Sequence, residues 1–200
     1  MKKMNNKGFS LVELIIVIAI MAILAGAIAP ALIRYIDKSR KSNDVSSAKT
    51  IKTAIETALG NETIYEYITT TSNFCYITVT PGEPTSSSAS SAVSISNAGA
   101  GTNGKINGKA IADIKTMAEE EIGTNIGEKT PKLKYRKNAS GDDNADDPAY
   151  FVGVVSKKGT VYVFISTTAT FTAADDSDVG CVGTDKEQFQ ICPNICDEYQ

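Results

Sequence analysis

Between Asn5 and Ile33, NNKGFSLVELIIVIAIMAILAGAIAPALI, the charged side chains are Lys7 and the carboxylate of Glu13. An acid at the head of an apolar run can take up a proton, pair with a cation, or set the register in which helices pack. The other groups with chemistry to offer are four thiols, Cys75, Cys181, Cys192 and Cys196, and two acidic runs. Those runs are Gly141–Asp147 (GDDNADD) and Asp175–Asp178 (DDSD). Thiols bridge or bind soft metals; clustered carboxylates and Asn are hard oxygen donors of the kind that suits calcium, although neither run has EF-hand spacing.

What is missing narrows the chemistry further. The chain has no His and no Trp. Without His there is no Ser–His or Cys–His nucleophile pair and no HExxH metal site. Gly99–Gly104 lacks the Lys and the following helix of a phosphate-binding loop. The acidic runs sit in polar loops with no sign of a pocket, so glycoside chemistry finds no support. Cys192-x-x-x-Cys196 matches the tight pair of a zinc site poorly. The expectation is a protein that is not an enzyme and has no cofactor beyond the calcium candidate.

The formal net charge is −3. Loss of residues 1–8 would take Lys2, Lys3 and Lys7, leaving 17 of the 20 basic side chains against 23 acidic ones and a charge of −6. Such a surface disfavours nucleic acid as the main partner, because neutralising phosphates needs positive charge.

The apolar element that carries Glu13 is long. Leu14–Ile33 is 20 uncharged, mostly aliphatic residues, and as a helix it spans roughly 30 Å, the thickness of a bilayer's hydrocarbon core. Lys2, Lys3 and Lys7 precede it, and Arg34, Lys38, Arg40 and Lys41 follow. A secretory signal would place its cut after Ala27-Ile28-Ala29, but Pro30 is awkward there and Glu13 gains nothing. A plain anchor explains the length and leaves Glu13 unexplained. A cut between Gly8 and Phe9 explains both. It creates an α-amino group four residues before Glu13, largely cationic at neutral pH with an ordinary pKa of about 8. In a bundle of such helices each carboxylate neutralises a neighbouring amine, and a mispaired subunit leaves a buried charge alone.

Lys7-Gly8-Phe9-Ser10-Leu11-Val12-Glu13-Leu14, a short basic leader, about 20 apolar residues and Pro30 within them resemble the N-terminal signal of type IV pilins and type II secretion pseudopilins. The resemblance implies cleavage after Gly8 by a membrane prepilin peptidase and N-methylation of Phe9. It also implies extraction from the cytoplasmic membrane, where the precursor is single-pass, into an extracellular homopolymer on the cell surface. An assembly ATPase and a polytopic platform protein would drive that step. A pilus subunit serving adhesion, motility or DNA uptake is the leading expectation. A pseudopilin of a secretion system and a membrane-anchored binding module are the alternatives. Some pseudopilins hold calcium in a loop near the C-terminus, which makes Asp175, Asp176 and Asp178 the candidate ligands.

The elements that follow can be read from pattern. Ala48, Ile51, Ile55 and Ala58 or Leu59 recur at spacings of three and four, an apolar stripe on a helix that Gly60-Asn61 would stop. From Phe9 to Leu59 a continuous helix would be about 75 Å long. Gly26 and Pro30 predict a bend or local unwinding, since Pro lacks an N–H and crowds the preceding turn. Ser and Asn between Ser39 and Ser47 predict fraying. Phe74–Val79 predicts a strand closed by Pro81-Gly82, and Lys109–Ile122 a helix ended by Gly123. Tyr150–Val155 and Thr160–Ile165 predict a hairpin with Gly159 in its turn. Glu83–Gly104 reads as an exposed Ser/Gly-rich insertion. The C-terminal region 181–196 is short of periodic structure; a Cys181 bridge to Cys192 or Cys196 would close a loop of about 10–15 residues. Such a loop is similar to the disulfide-bonded end of many pilins, and the pairing stays open.

The expected organisation is therefore a removable leader, 1–8, and an apolar span, 9–33. An amphipathic helical continuation, 34–60, and a globular part, 61–200, follow. The fold class is α+β, with the helix's second half packed on a small antiparallel sheet. The same arrangement is what the family resemblance implies.

Overall fold

The computed structural model describes residues 10–70, 74–85, 92–98, 104–135, 148–169 and 188–196. The first element, α1, is Leu11–Ala58. It is helical without interruption through Gly26 and Pro30, which corrects the expected local unwinding there. The expected fraying at Ser39–Ser47 is likewise absent from the helix as described. The chain falls into two compact units, residues 1–39 and residues 40–200.

In the first unit, every described residue from Leu11 to Ile36 is exposed. Within it Leu14–Ile33 is apolar all round, and such a helix requires lipid or other helices against it. The apolar window is long enough to cross a membrane, and none of it is buried.

In the second unit α1 changes character. Asp44, Ala48, Ile51, Ala54, Ile55 and Ala58 are its buried residues. Their spacing is the three-and-four stripe expected from sequence, with Ala54 and Asp44 added. Full burial of an Ile such as Ile51 or Ile55 contributes about 1.5–3 kcal/mol each. Gly60-Asn61 does end the helix, but Asn61 then starts a second one. Its side chain accepts the Thr63 N–H at 3.1 Å, capping α2 (Glu62–Thr69). Ile64, Tyr67 and Ile68 of α2 are buried.

The strands are β1 (Phe74–Val79), β2 (Val93–Ser96), β3 (Lys105–Ile106), β4 (Lys109–Ala110), β5 (Tyr150–Ser156), β6 (Val161–Ser166) and β7 (Gln188–Cys192). A third helix, α3 (Ile111–Ile126), precedes β5. Among the described residues the main sheet has the order β2-β1-β5-β6-β7, and each neighbouring pair is antiparallel. The fold is therefore α+β, a long N-terminal helix and a small antiparallel sheet, as expected.

At Gly153 the helix and the sheet pack closely. This residue pairs with Ile77 on β1 and Val163 on β6. A Cβ at this position would lie 2.4 Å from Cδ1 of Ile55, so the absent side chain is what lets the fully buried Ile55 sit on the strand. One core cluster joins Ile51 and Ile55 to Cys75, Ile77, Val155 and Ile165. A second joins Phe74, Val152, Val154 and Phe164, with Tyr76, Tyr150 and Tyr162 packed on it. The central strands are thus buried on both faces and read as unbroken apolar runs.

Several expectations need correction. Glu83–Gly104 is not only an exposed insertion: it contains β2, whose Val93 and Ile95 are buried while Ser94 and Ser96 are exposed. The C-terminal region contains β7, which pairs with β6 through a bulge between Val163 and Phe164. Lys109 and Ala110 belong to a small hairpin, with Asn107 (φ 49°) and Gly108 (φ 81°) in its turn. Positive φ at both central residues is the condition for the tight turn that an Asn-Gly pair favours. α3 passes through buried Gly123 and ends at Gly127 (φ 119°). The Tyr150–Ile165 hairpin forms as expected, with Gly159 at φ 77°.

Candidate functional site

Ser10 and Glu13 form the head of α1. The Ser10 N–H donates to Glu13 Oε2 at 2.9 Å, and Leu14 N donates to Ser10 O at 3.2 Å. The spacing S-x-x-E is that of a capping box, in which the acid in the first turn reaches back to the residue that caps the helix. A carboxylate there also faces the positive end of the helix dipole. Sequence reading gave Glu13 no partner within its own chain; the S-x-x-E spacing was the available signal. An ionised carboxylate offers about four acceptor positions, so one N–H from its own backbone does not exhaust it.

Around Glu13 the surface is apolar and open. Leu11, Val12, Leu14, Ile16 and Val17 are all exposed, Leu11 by 73%. Gly8 and Phe9, the residues of the expected cut and methylation, lie outside the described residues. Gly26 has nothing within 4 Å of where a Cβ would stand, so its smallness is not required by packing within the chain.

A second carboxylate on α1 went unnoticed in the sequence. Asp44 is completely buried. Its Oδ1 accepts the Lys134 N–H at 2.7 Å and its Oδ2 the Tyr135 N–H at 2.8 Å. The Lys41 ammonium stands 5.0 Å from the centre of the Tyr135 ring. These contacts pin residues 134–135 to the helix. A third carboxylate, Glu119 on α3, accepts the Ile95 N–H at 2.8 Å through Oε1, with Lys115 3.6 Å away. Backbone donors on an edge strand invite pairing with another chain, and Glu119 occupies this one.

The thiols separate into two kinds. Cys75 and Cys192 are free and buried, which corrects their place in the disulfide pool. Burial pushes the Cys75 thiol up to about 12 and raises Cys192 as well, with Lys52 and Lys49 opposing the rise. Tyr67 is also pushed up to about 12, chiefly by burial and then by Cys75 and Glu119. Such thiols are poor nucleophiles, because the thiolate is the reactive form. Cys196 is buried. Cys181 lies outside the described residues, as do Asp175, Asp176 and Asp178 and the run Gly141–Asp147. Among the described residues no cluster of His, Cys, Asp or Glu suited to a metal is found.

A family comparison falls on this same N-terminal segment. Residues 3–29 match the prokaryotic N-terminal methylation motif. The chain is 46% identical over 57 residues to the type IV major fimbrial protein FimA of Dichelobacter nodosus, covering 28% of this chain and 36% of that protein. It is 48% identical over 54 residues to fimbrial protein Q of Moraxella bovis, covering 27% and 34%. The type IV major alpha-pilin of Moraxella bovis is 46% identical over 54 residues, with the same coverage. The chain spans about a third of the length of these curated relatives. No solved structure matches it. The chain is thus similar, over part of its length, to type IV fimbrial proteins, and it carries the methylation motif.

Proposed function

We propose that this chain is the structural subunit of a type IV pilus, made as a membrane precursor and assembled into an extracellular filament. It is not an enzyme in this reading. Prepilin peptidase cuts between Gly8 and Phe9, Phe9 is N-methylated, and its amino group pairs with Glu13 of a neighbouring copy in the filament core. The partners are other copies of the chain, the peptidase, and an assembly ATPase with its platform protein. The observation that carries the reading is a helix segment apolar all round, wholly exposed, with one carboxylate at its head. The matched motif over residues 3–29 supports it. The relatives' names, fimbrial proteins and a pilin, favour a surface fibre over a secretion rod.

The mature N-terminal residue, read by mass spectrometry, tests the processing step. N-methyl-Phe9 is the expected result, and Pro30 or Met1 would remove the filament reading. Glu13→Gln tests the pairing step: filament incorporation should fall sharply while membrane insertion is unchanged. In the C-terminal region we propose a Cys181–Cys196 bridge, supported by Cys75 and Cys192 both being free. Mass mapping of the non-reduced peptide tests it. Calcium at Asp175, Asp176 and Asp178 is proposed on donor chemistry alone, and a calcium titration followed by calorimetry tests it.

A further inference from the structure

The helix changes character abruptly where the apolar run stops. Arg34 and Lys38 follow the last residues of that run, both exposed, with Tyr35 between them 72% exposed. Positions four apart share one face of a helix. At the same spacing Lys52 contacts Glu56 and Lys115 lies 3.6 Å from Glu119, while Glu62 and Glu66 on α2 share a sign. Arg34 and Lys38 put two cations at that spacing, an arrangement that repels unless an anion comes between or beside them. With Asp37 counted, the stretch from Arg34 to Lys38 is still net positive.

From this placement we infer that Arg34, Tyr35 and Lys38 form a collar for the phosphates of anionic lipid headgroups, seated where the apolar span leaves the hydrocarbon. The inference rests on the span lying in a membrane before assembly. The collar is continuous with the span, so its cations stand at headgroup depth. The Arg34 fork matches phosphate in a bidentate fashion, and Lys38 adds a point charge. Tyr35 has the amphipathic ring that favours the membrane–water interface. The collar would hold a processed subunit at a fixed depth until it is drawn into the filament.

The test uses the full chain reconstituted in phosphatidylcholine vesicles containing spin-labelled phosphatidylglycerol or spin-labelled phosphatidylcholine. Electron spin resonance gives the relative association of each lipid with the protein. The wild-type chain should prefer phosphatidylglycerol, and R34Q/K38Q should lose that preference by about twofold to fivefold per cation, the scale of basic residues near an anionic surface. R34K should retain most of it, and K105Q, on the exposed β3–β4 hairpin, should retain all of it. Excess inorganic phosphate, matched for ionic strength, should not abolish it. Equal association of the two lipids, an unchanged preference in R34Q/K38Q, or displacement by free phosphate would overturn the inference. E13Q should keep the lipid preference while losing filament incorporation, so a failure here is distinct from a failure of the pilus reading.

Discussion

Glu13 and Asp44 are two carboxylates on one helix, and their surroundings differ in every respect that decides what an acid does. Asp44 is fully buried, and each of its oxygens takes a backbone N–H from about 90 residues away in sequence. Glu13 sits in an exposed apolar surface with one local N–H from Ser10. Asp44 therefore completes the fold within one molecule. Among the described residues Glu13 serves its own helix end, and its remaining acceptor capacity is available to something outside. A carboxylate's role is read from what its surroundings still ask of it, and exposure within apolar residues asks for a partner.

That contrast breaks most visibly through Glu13→Gln. Leaving one charge of a buried pair alone costs roughly 3–5 kcal/mol, the equivalent of about 100-fold or more in equilibrium. Filament yield, measured by sheared-fibre protein or electron microscopy, should fall on that scale. Denaturant unfolding of the detergent-solubilised chain should move by less than about 0.5 kcal/mol, as for an exposed substitution. A stability loss matching the assembly loss would place Glu13 in the same class as Asp44.

Asp44→Leu is the mirror experiment. It leaves the Lys134 and Tyr135 N–H groups without their acceptor in a part-buried setting, where each costs toward the lower end of about 1–3 kcal/mol. Unfolding of the detergent-solubilised chain should show a loss of about 2–4 kcal/mol, with Asp44→Asn losing less because one acceptor survives. Membrane insertion should not change.

The same two residues show why the sequence was legible in some places and not in others. Glu13 stood out because a charge among aliphatic residues has no local excuse. Asp44 lay in KSNDVSSAK, a polar stretch in which a buried acid looks like its neighbours; its two donors come from residues 134 and 135. The Ile51–Ile55 stripe and the Phe74–Val79 and Tyr150–Ile165 strands were readable because burial on one or both faces imposes a period. β2 and β7 escaped because each is short and at an edge, and VSIS needs only two inward residues. The β3–β4 hairpin was missed although its Asn107-Gly108 turn was in plain view, and α2 was hidden by reading Gly60-Asn61 as a stop without a following start.

Between helix and sheet, Gly153→Ala probes how tightly the second unit is built. The new methyl would stand 2.4 Å from Ile55 Cδ1, and overpacking a filled core costs typically about 1–3 kcal/mol. Ile55→Val in the same molecule should recover part of that loss, read as non-additivity in a double-mutant cycle. At the sheet edge, Glu119→Ala should cost about 1–2 kcal/mol by uncovering the Ile95 N–H. If the edge is what Glu119 guards, the variant should also associate at high concentration, measured by light scattering.

The smallest effect at attainable pH concerns the buried thiol. Cys75 is raised from an ordinary value of 9.0 to about 12 because burial disfavours the thiolate. The unfolded chain releases this proton near pH 9 while the folded one keeps it, so the unfolded state binds fewer protons above that point and stability falls as pH rises. The contribution is intact below about pH 9 and drains away as pH climbs toward 12, the loss at pH 10 being about 1 kcal/mol. Tyr67 shifts in the same direction and acts at higher pH still. Unfolding free energies of wild type and Cys75→Val, compared from pH 7 to 10.5, should run parallel up to pH 9, above which the wild type falls relative to the variant. Parallel curves throughout would mean that the Cys75 thiolate is solvated in the folded chain, and rapid alkylation of Cys75 at pH 8 would say the same.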